Sequence, residues 1–232
     1  MEFAIHWCVE ELDIAAAERV CSEIRFATRK EICRWSDINT LLEELWQTLE
    51  WEMKSEHFFH YSREDARQIE NVDEEWKNVI SAFPSSRREI VAALDCYALN
   101  DYTGCVFHMM RVAELGLRTI AKERGVISLG RKKPKPIEWG TWQEVFDAIE
   151  GQLPAIRRAS PGPKRDAALS FYDTALSDLR TLRGLFRDPT MHFRGNYDKG
   201  EADSAIFRSY SLMGTLATKL TEASSRKIRW GL

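Results

Sequence analysis

The chain has 232 residues and is 44% hydrophobic, enough for one large domain or two small ones around an ordinary core. Twelve glycines and seven prolines are few for this length, which argues against a turn-rich all-β fold and for long helices. The net charge of −3 hides an asymmetry, about −10 over residues 1–83 and +7 over 84–232, and a polyanionic partner responds to such local fields rather than to the total.

The opening residues (MEFAIHWCVEEL) are acidic and lack the basic start and apolar run of a secretory signal. No apolar run of about 18 residues follows, so a cytoplasmic protein without membrane spans is expected. Residues 13–34 have Ala-rich helical composition, with Asp13 placed to cap. A second helix spans 37–56, where Leu41, Leu42, Leu45, Leu49 and Met53 recur at three- and four-residue spacing. Residues 57–62 (HFFHYS) read as a short strand or turn, and a short helix over 73–83 ends near Pro84. The predicted division is therefore an acidic helical segment, 1–83, and a helical bundle, 84–232.

Ser85–Leu99 reads as a helix broken at Asn100–Asp101. The long helix Thr103–Arg124 follows, with apolar positions that include Val106, Met109, Met110, Val112, Ala113, Leu115, Leu117 and Ile120, and stops at Gly125. A basic loop (GRKKPKP, 130–136) leads to a helix over 141–152, and a second loop (154–164) leads to helices over about 165–187 and 199–224. The fold class is all-α: a bundle of four to five helices with an additional N-terminal helical segment. The five cysteines are odd in number and form no C-x-x-C pair, so reduced thiols are expected, with Cys96 and Cys105 acting as small core hydrophobes.

The most informative segment joins the last two helices: Leu185-Phe186-Arg187-Asp188-Pro189-Thr190-Met191-His192-Phe193. On a continuous helix Arg187 and His192 would point about 140° apart. Pro189 biases the chain away from helical angles, so either a local break turns His192 toward Arg187 or symmetry unites the pairs of two protomers. A neutral imidazole exchanges protons near pH 7, and a guanidinium holds a phosphate and stabilises charge developing on it. RNA supplies its own nucleophile, the 2′-OH, so these two groups suffice to cleave it without a metal or other cofactor.

With its helical frame, this segment resembles the HEPN superfamily, all-helical domains whose active members are metal-independent RNases. The Arg187–Asp188–x–x–x–His192 spacing matches the family signature of an Arg, a polar residue, and a His after four intervening residues. Residues 102–118 (YTGCVFHMMRVAELGLR) are similar to an earlier long helix of bacterial members, with a small-residue start and an Arg–x–x–Glu face. The resemblance covers roughly 84–224. It implies a homodimer with both motifs in one cleft, His192 as general acid or base, Arg187 on the scissile phosphate, and Asp188 orienting one of them or capping the turn. It further implies an endoribonuclease of toxin or phage-defence type, held in check by an antitoxin or regulatory protein. Pro189 departs from the common pattern.

Each sharp reading has a bland counterpart. Arg111 and Glu114 either support the catalytic pair or form helix-surface ion pairs. His108, one turn before Arg111, reads as a packed or surface residue. The basic residues Arg131, Lys132, Lys133, Arg157 and Arg158 either touch RNA backbone or are solvated loop charge. His57 and His60 lack a third ligand at a recognisable spacing, so no metal is expected, and the tryptophans Trp35, Trp46, Trp51 and Trp76 read as packing residues. Two other functions compete with the nuclease. One is a non-catalytic HEPN-like module binding a nucleotide, RNA or protein; the other is a scaffold in which Arg187 caps a helix.

Overall fold

The computed structural model describes residues 15–29, 34–54, 59–130, 133–187, 196–223 and 230. Helices dominate them, as the sparse glycine and proline content predicts. The chain divides into two units, Met1–Phe59 and His60–Leu232. Among the described residues no helix is long and apolar enough to cross a membrane.

In the first unit, α1 (Ala15–Thr28) packs on α2 (Trp35–Met53). Val20, Cys21 and Ile24 are buried, and Arg19 bonds Glu44 across the pair at 2.8 Å and Glu23 within α1 at 2.7 Å. The expected packing role fails for three tryptophans here: Trp35, Trp46 and Trp51 are 81%, 70% and 78% exposed. A helical pair has one inner seam, and these indoles lie off it. Asp13 lies outside the described residues, as does His57, so the H-x-x-H pair is described only at its exposed His60. No group of three His, Cys, Asp or Glu side chains among the described residues is placed to hold a metal ion.

The second unit begins with α3 (Arg63–Glu70), α4 (Val72–Glu75) and α5 (Lys77–Ala82), then α6 (Ser86–Ala98) and the long α7 (Tyr102–Glu123). The predicted single helix over 73–83 is thus two short ones. Val72, Trp76, Val79 and Phe83 join the same buried core as α6 and α7. The boundary therefore falls at Phe59/His60 rather than at Pro84, because α4 and α5, through Val72, Trp76 and Val79, are buried with the bundle and α3 packs on α6.

The break between α6 and α7 lies where the sequence puts it. Asn100 has a positive φ of 60°, a conformation Asn tolerates better than most residues, and the Asp101 side chain accepts from the Gly104 N–H to cap α7. α7 is the axis of the unit, packing on α6 and on the last helix, α11 (Lys199–Ala217). Gly116 permits that second approach: a Cβ there would come within 2.8 Å of both Leu216 and Met213 of α11. Cys105 is buried and Cys96 half-buried. Burial pushes the Cys105 thiol up to about 12, so it packs as an inert apolar group.

After α7 a two-residue antiparallel ladder pairs β1 (Ser128–Leu129) with β2 (Lys135–Pro136), closing the base of the basic loop. A 3-10 turn (Ile137–Trp139), α8 (Trp142–Glu150), α9 (Pro154–Arg157) and α10 (Pro163–Leu182) complete the frame. α8 opens with a capping box in which Thr141 and Glu144 satisfy each other's backbone N–H. Lys135 adds a 2.8 Å bond to Glu144. Together Lys135 and Thr141 hold the Glu144 carboxyl down at about 2. Because the folded value lies below the ordinary 4.5, this contribution is complete above about pH 4.5 and is lost as pH falls toward 2. Lys135→Ala is expected to raise the Glu144 pKa toward the ordinary carboxylate range, as read by NMR titration; an unchanged value would show that the cap alone sets it.

A charged pair is sealed inside this unit. Glu123 is fully buried and Arg124 is 5% exposed. Arg124 donates to Glu123 through Nε at 2.7 Å and also through Nη2. Its guanidinium lies 4.7 Å over the Tyr172 ring, and the Tyr172 hydroxyl donates to Glu123 at 3.0 Å. The Trp230 indole packs on Phe171 and Tyr172 beside it.

Candidate functional site

The site suggested by the sequence starts at the end of α10. Its α-helical pattern ends at Leu182, and Arg183–Arg187 forms a π-turn, a widened turn that is rare and frequent at functional positions. Asp188 and His192 lie outside the described residues, as does Pro189. The structure therefore gives the position of the arginine and of both ends of the segment carrying the histidine.

Arg187 is the last of three arginines, Arg180 in the last turn of α10 and Arg183 and Arg187 at the two ends of the π-turn. All three reach α8. Arg180 pairs with Glu150 and lies 5.3 Å over the Phe146 ring. Arg183 donates to Gln143 Oε1 at 2.6 Å, and Arg187 lies 5.7 Å over the Trp142 ring, within cation–π range. The half-buried Arg187 guanidinium is thereby held against the first turn of α8. The indole N–H of Trp142 is buried and has no hydrogen-bond partner among the described residues, so a second donor lies on the ring beneath Arg187.

The far side of the segment is fixed by Tyr197. Its hydroxyl donates to the Phe186 carbonyl at 2.8 Å, its ring lies 5.8 Å from that of Phe186, and its backbone N–H donates to Thr103 Oγ1 at the start of α7. Asp198 then caps α11 with Glu201. Phe186 and Tyr197, on either side of residues 188–195, are thus held against each other and beside the N-terminal end of α7.

Arg111 and Glu114 project from the outward side of α7 and do not pair with each other. Arg111 Nε bonds Glu89 of α6 at 2.8 Å, and Glu114 accepts from Arg118 at 2.5 Å. Arg118 also donates to the Glu138 carbonyl at 2.9 Å, which links this stripe to the turn preceding α8. His108 Nδ1 shares Glu89 Oε2 at 2.8 Å. Burial works to raise the Glu89 pKa, but the bonds from His108 and Arg111 outweigh it and hold the carboxyl below its usual range. An ionised carboxylate only accepts, so His108 donates through Nδ1. Ser85, Ser86, Glu89, Arg111, Glu114 and Arg118 are among the residues lining a polar cleft of about 350 Å³.

The basic residues separate into two groups. Lys133 is exposed in the turn whose next strand, through Lys135, bonds the first turn of α8, the same turn that carries Trp142 beneath Arg187; Arg131 and Lys132 lie outside the described residues. Arg157 and Arg158 are exposed beyond the opposite end of α8, and Arg157 approaches Asp173 at 3.9 Å. A nine-residue helix is about 13 Å long, so a ligand on Arg187 meets the first group before the second.

Sequence reasoning missed Trp142, Tyr197 and Glu89. The arginine spacing at 180, 183 and 187 was a readable signal for a shared partner helix. Nothing local marks Tyr197 or Glu89, whose partners lie on other helices. Comparison of the chain with family models, with curated proteins and with solved structures finds no match.

Proposed function

We propose that this chain is a metal-independent endoribonuclease of the HEPN type, acting as a homodimer in which each protomer brings Arg187 and His192 to a shared cleft. The observation that carries the reading is the pinned base of the segment 188–195. Arg187 is fixed on Trp142 at one end, and Tyr197 is bonded back to Phe186 at the other. These contacts hold the flanks of the segment that carries His192 near Arg187, which supports a reading in which the two groups act on one phosphate.

In the proposed reaction one His192 takes the proton of the 2′-OH and O2′ attacks the adjacent phosphorus. The P–O5′ bond breaks, and the departing oxygen takes a proton from the imidazolium of the other protomer. The products are a 2′,3′-cyclic phosphate and a 5′-hydroxyl. Arg187 balances the charge that accumulates on the phosphoryl oxygens, and Asp188 orients the pair. Lys133, with Arg131 and Lys132, guides the RNA backbone at the Arg187 end of α8. A toxin or phage-defence role, restrained by an antitoxin or regulatory protein, is the setting this activity suits.

A second reading is a non-catalytic HEPN-like module that binds RNA, nucleotide or protein. The arginine ladder along α8 favours it, because three guanidinium groups joining two helices have a structural use without any chemistry. Incubation of the purified protein with RNA in EDTA separates the two. Wild type is expected to release cyclic-phosphate ends, and His192→Ala to lose at least about 100-fold in rate. Salt-sensitive RNA binding without cleavage would select the binding module, and cleavage undiminished in His192→Ala would remove the assignment.

A further inference from the structure

A second concave site lies in the same unit, between α4–α5, α6 and α11, and it has the opposite electrostatic character. Four aromatic side chains from these elements, Trp76, Tyr97, Phe207 and Tyr210, converge on a groove of about 530 Å³, a size that suits a small molecule. Trp76 and Tyr210 meet edge to face, with centroids 4.9 Å apart and planes 88° apart, so they form two perpendicular walls. Phe207 is 71% exposed at the rim. The charged lining residues are both acidic, Glu75 and Asp203, and Lys or Arg is absent from the described lining.

Aromatic faces attract cations through their quadrupole, and carboxylates at the edge strengthen the preference. One of these rings already attracts a cation from outside the described lining: the Lys199 ammonium lies 5.7 Å from the centre of the Tyr97 ring. The orientation of that ring is set by the bond from its hydroxyl to Asp203 at 2.5 Å. An anionic ligand such as RNA would be repelled by Glu75 and Asp203, so the groove serves a different ligand from the Arg187 end of the unit.

We propose that this groove is a binding site for a small organic cation, an alkylated or quaternary ammonium whose apolar body packs against the four rings while Glu75 and Asp203 balance its charge. This does not depend on the nuclease reading. Tyr97 also stacks edge to face on Tyr102, 5.6 Å away, and Tyr102 is the first residue of α7, next to the Thr103 that anchors Tyr197. An occupant would therefore act on the helix start that anchors the segment carrying His192.

The test uses the full chain and two probes of the same shape, choline and its neutral isostere 3,3-dimethyl-1-butanol, titrated by calorimetry. Choline is expected to bind saturably and at least about tenfold more tightly than the isostere. Phe207→Ala at the exposed rim and Asp203→Asn, which keeps an acceptor for Tyr97, are each expected to weaken it at least about fivefold. Both variants are checked for an unchanged circular dichroism spectrum and cooperative melting. Equal binding of the two probes would reduce the groove to an apolar surface. Absence of choline binding, or binding that survives both substitutions, would overturn the proposal.

Discussion

Glu123→Gln is expected to destabilise the second unit by about 3–5 kcal/mol, the cost of breaking a buried ion pair from one side. Arg124 is 5% exposed and donates twice to this carboxylate. With Gln in place the guanidinium stays in the interior without a counter-charge, and the Tyr172 hydroxyl loses an ionised acceptor. Arg124→Met alone is expected to be costly for the converse reason, since it strands the carboxylate. The double variant Glu123→Leu/Arg124→Met removes both charges and is expected to recover much of the loss, because isosteric apolar replacement of a buried pair is often neutral. Urea denaturation of the four proteins reads this directly. Single variants that lose less than about 1 kcal/mol, with no recovery in the double, would mean that water compensates the pair.

The second large effect concerns turnover. Arg187→Ala is expected to lower RNA cleavage at least about 100-fold, the scale for removing a group that stabilises transition-state charge. Loss of its cation–π contact with Trp142 accounts for about 0.5–2 kcal/mol of stability. Arg187→Lys keeps the charge but loses the planar fork, so an intermediate rate is expected. Arg180→Ala is the control, because Arg180 belongs to the same ladder and lies at the other end of α8, on Glu150 and Phe146. It should lose comparable stability and keep its rate. If rate and stability instead fall together at both positions, Arg187 is a structural rung and the phosphate role is wrong.

Much of the fold is legible in the sequence wherever one helix carries its own signals. The three- and four-residue spacing along α7, the turn at Asn100–Asp101 and the stop at Gly125 are local, and the structure follows them. The segment 63–82 carries weaker local signals. Its apolar residues are few, and only contact with α6 and α11 shows that they belong to the later core. The exposed tryptophans of α2 fail for the complementary reason: composition shows that a residue is apolar, while exposure depends on whether a neighbour exists to cover it. The candidate site divides along the same line. Arg187 is visible in a short motif, whereas its seat on Trp142 depends on α10 lying along α8. The ionic partner of Arg111 turned out to be Glu89 on another helix, which no spacing along α7 encodes.

The Tyr197 bolt has an evolutionary consequence. Because Tyr197 is bonded to the Phe186 carbonyl, the two flanks stay together whatever the composition or length of the chain that joins them. Closing a longer excursion between fixed ends costs only about 0.6 kcal/mol for each doubling. Selection can therefore vary the residues between these flanks while the flanking contacts stay the same.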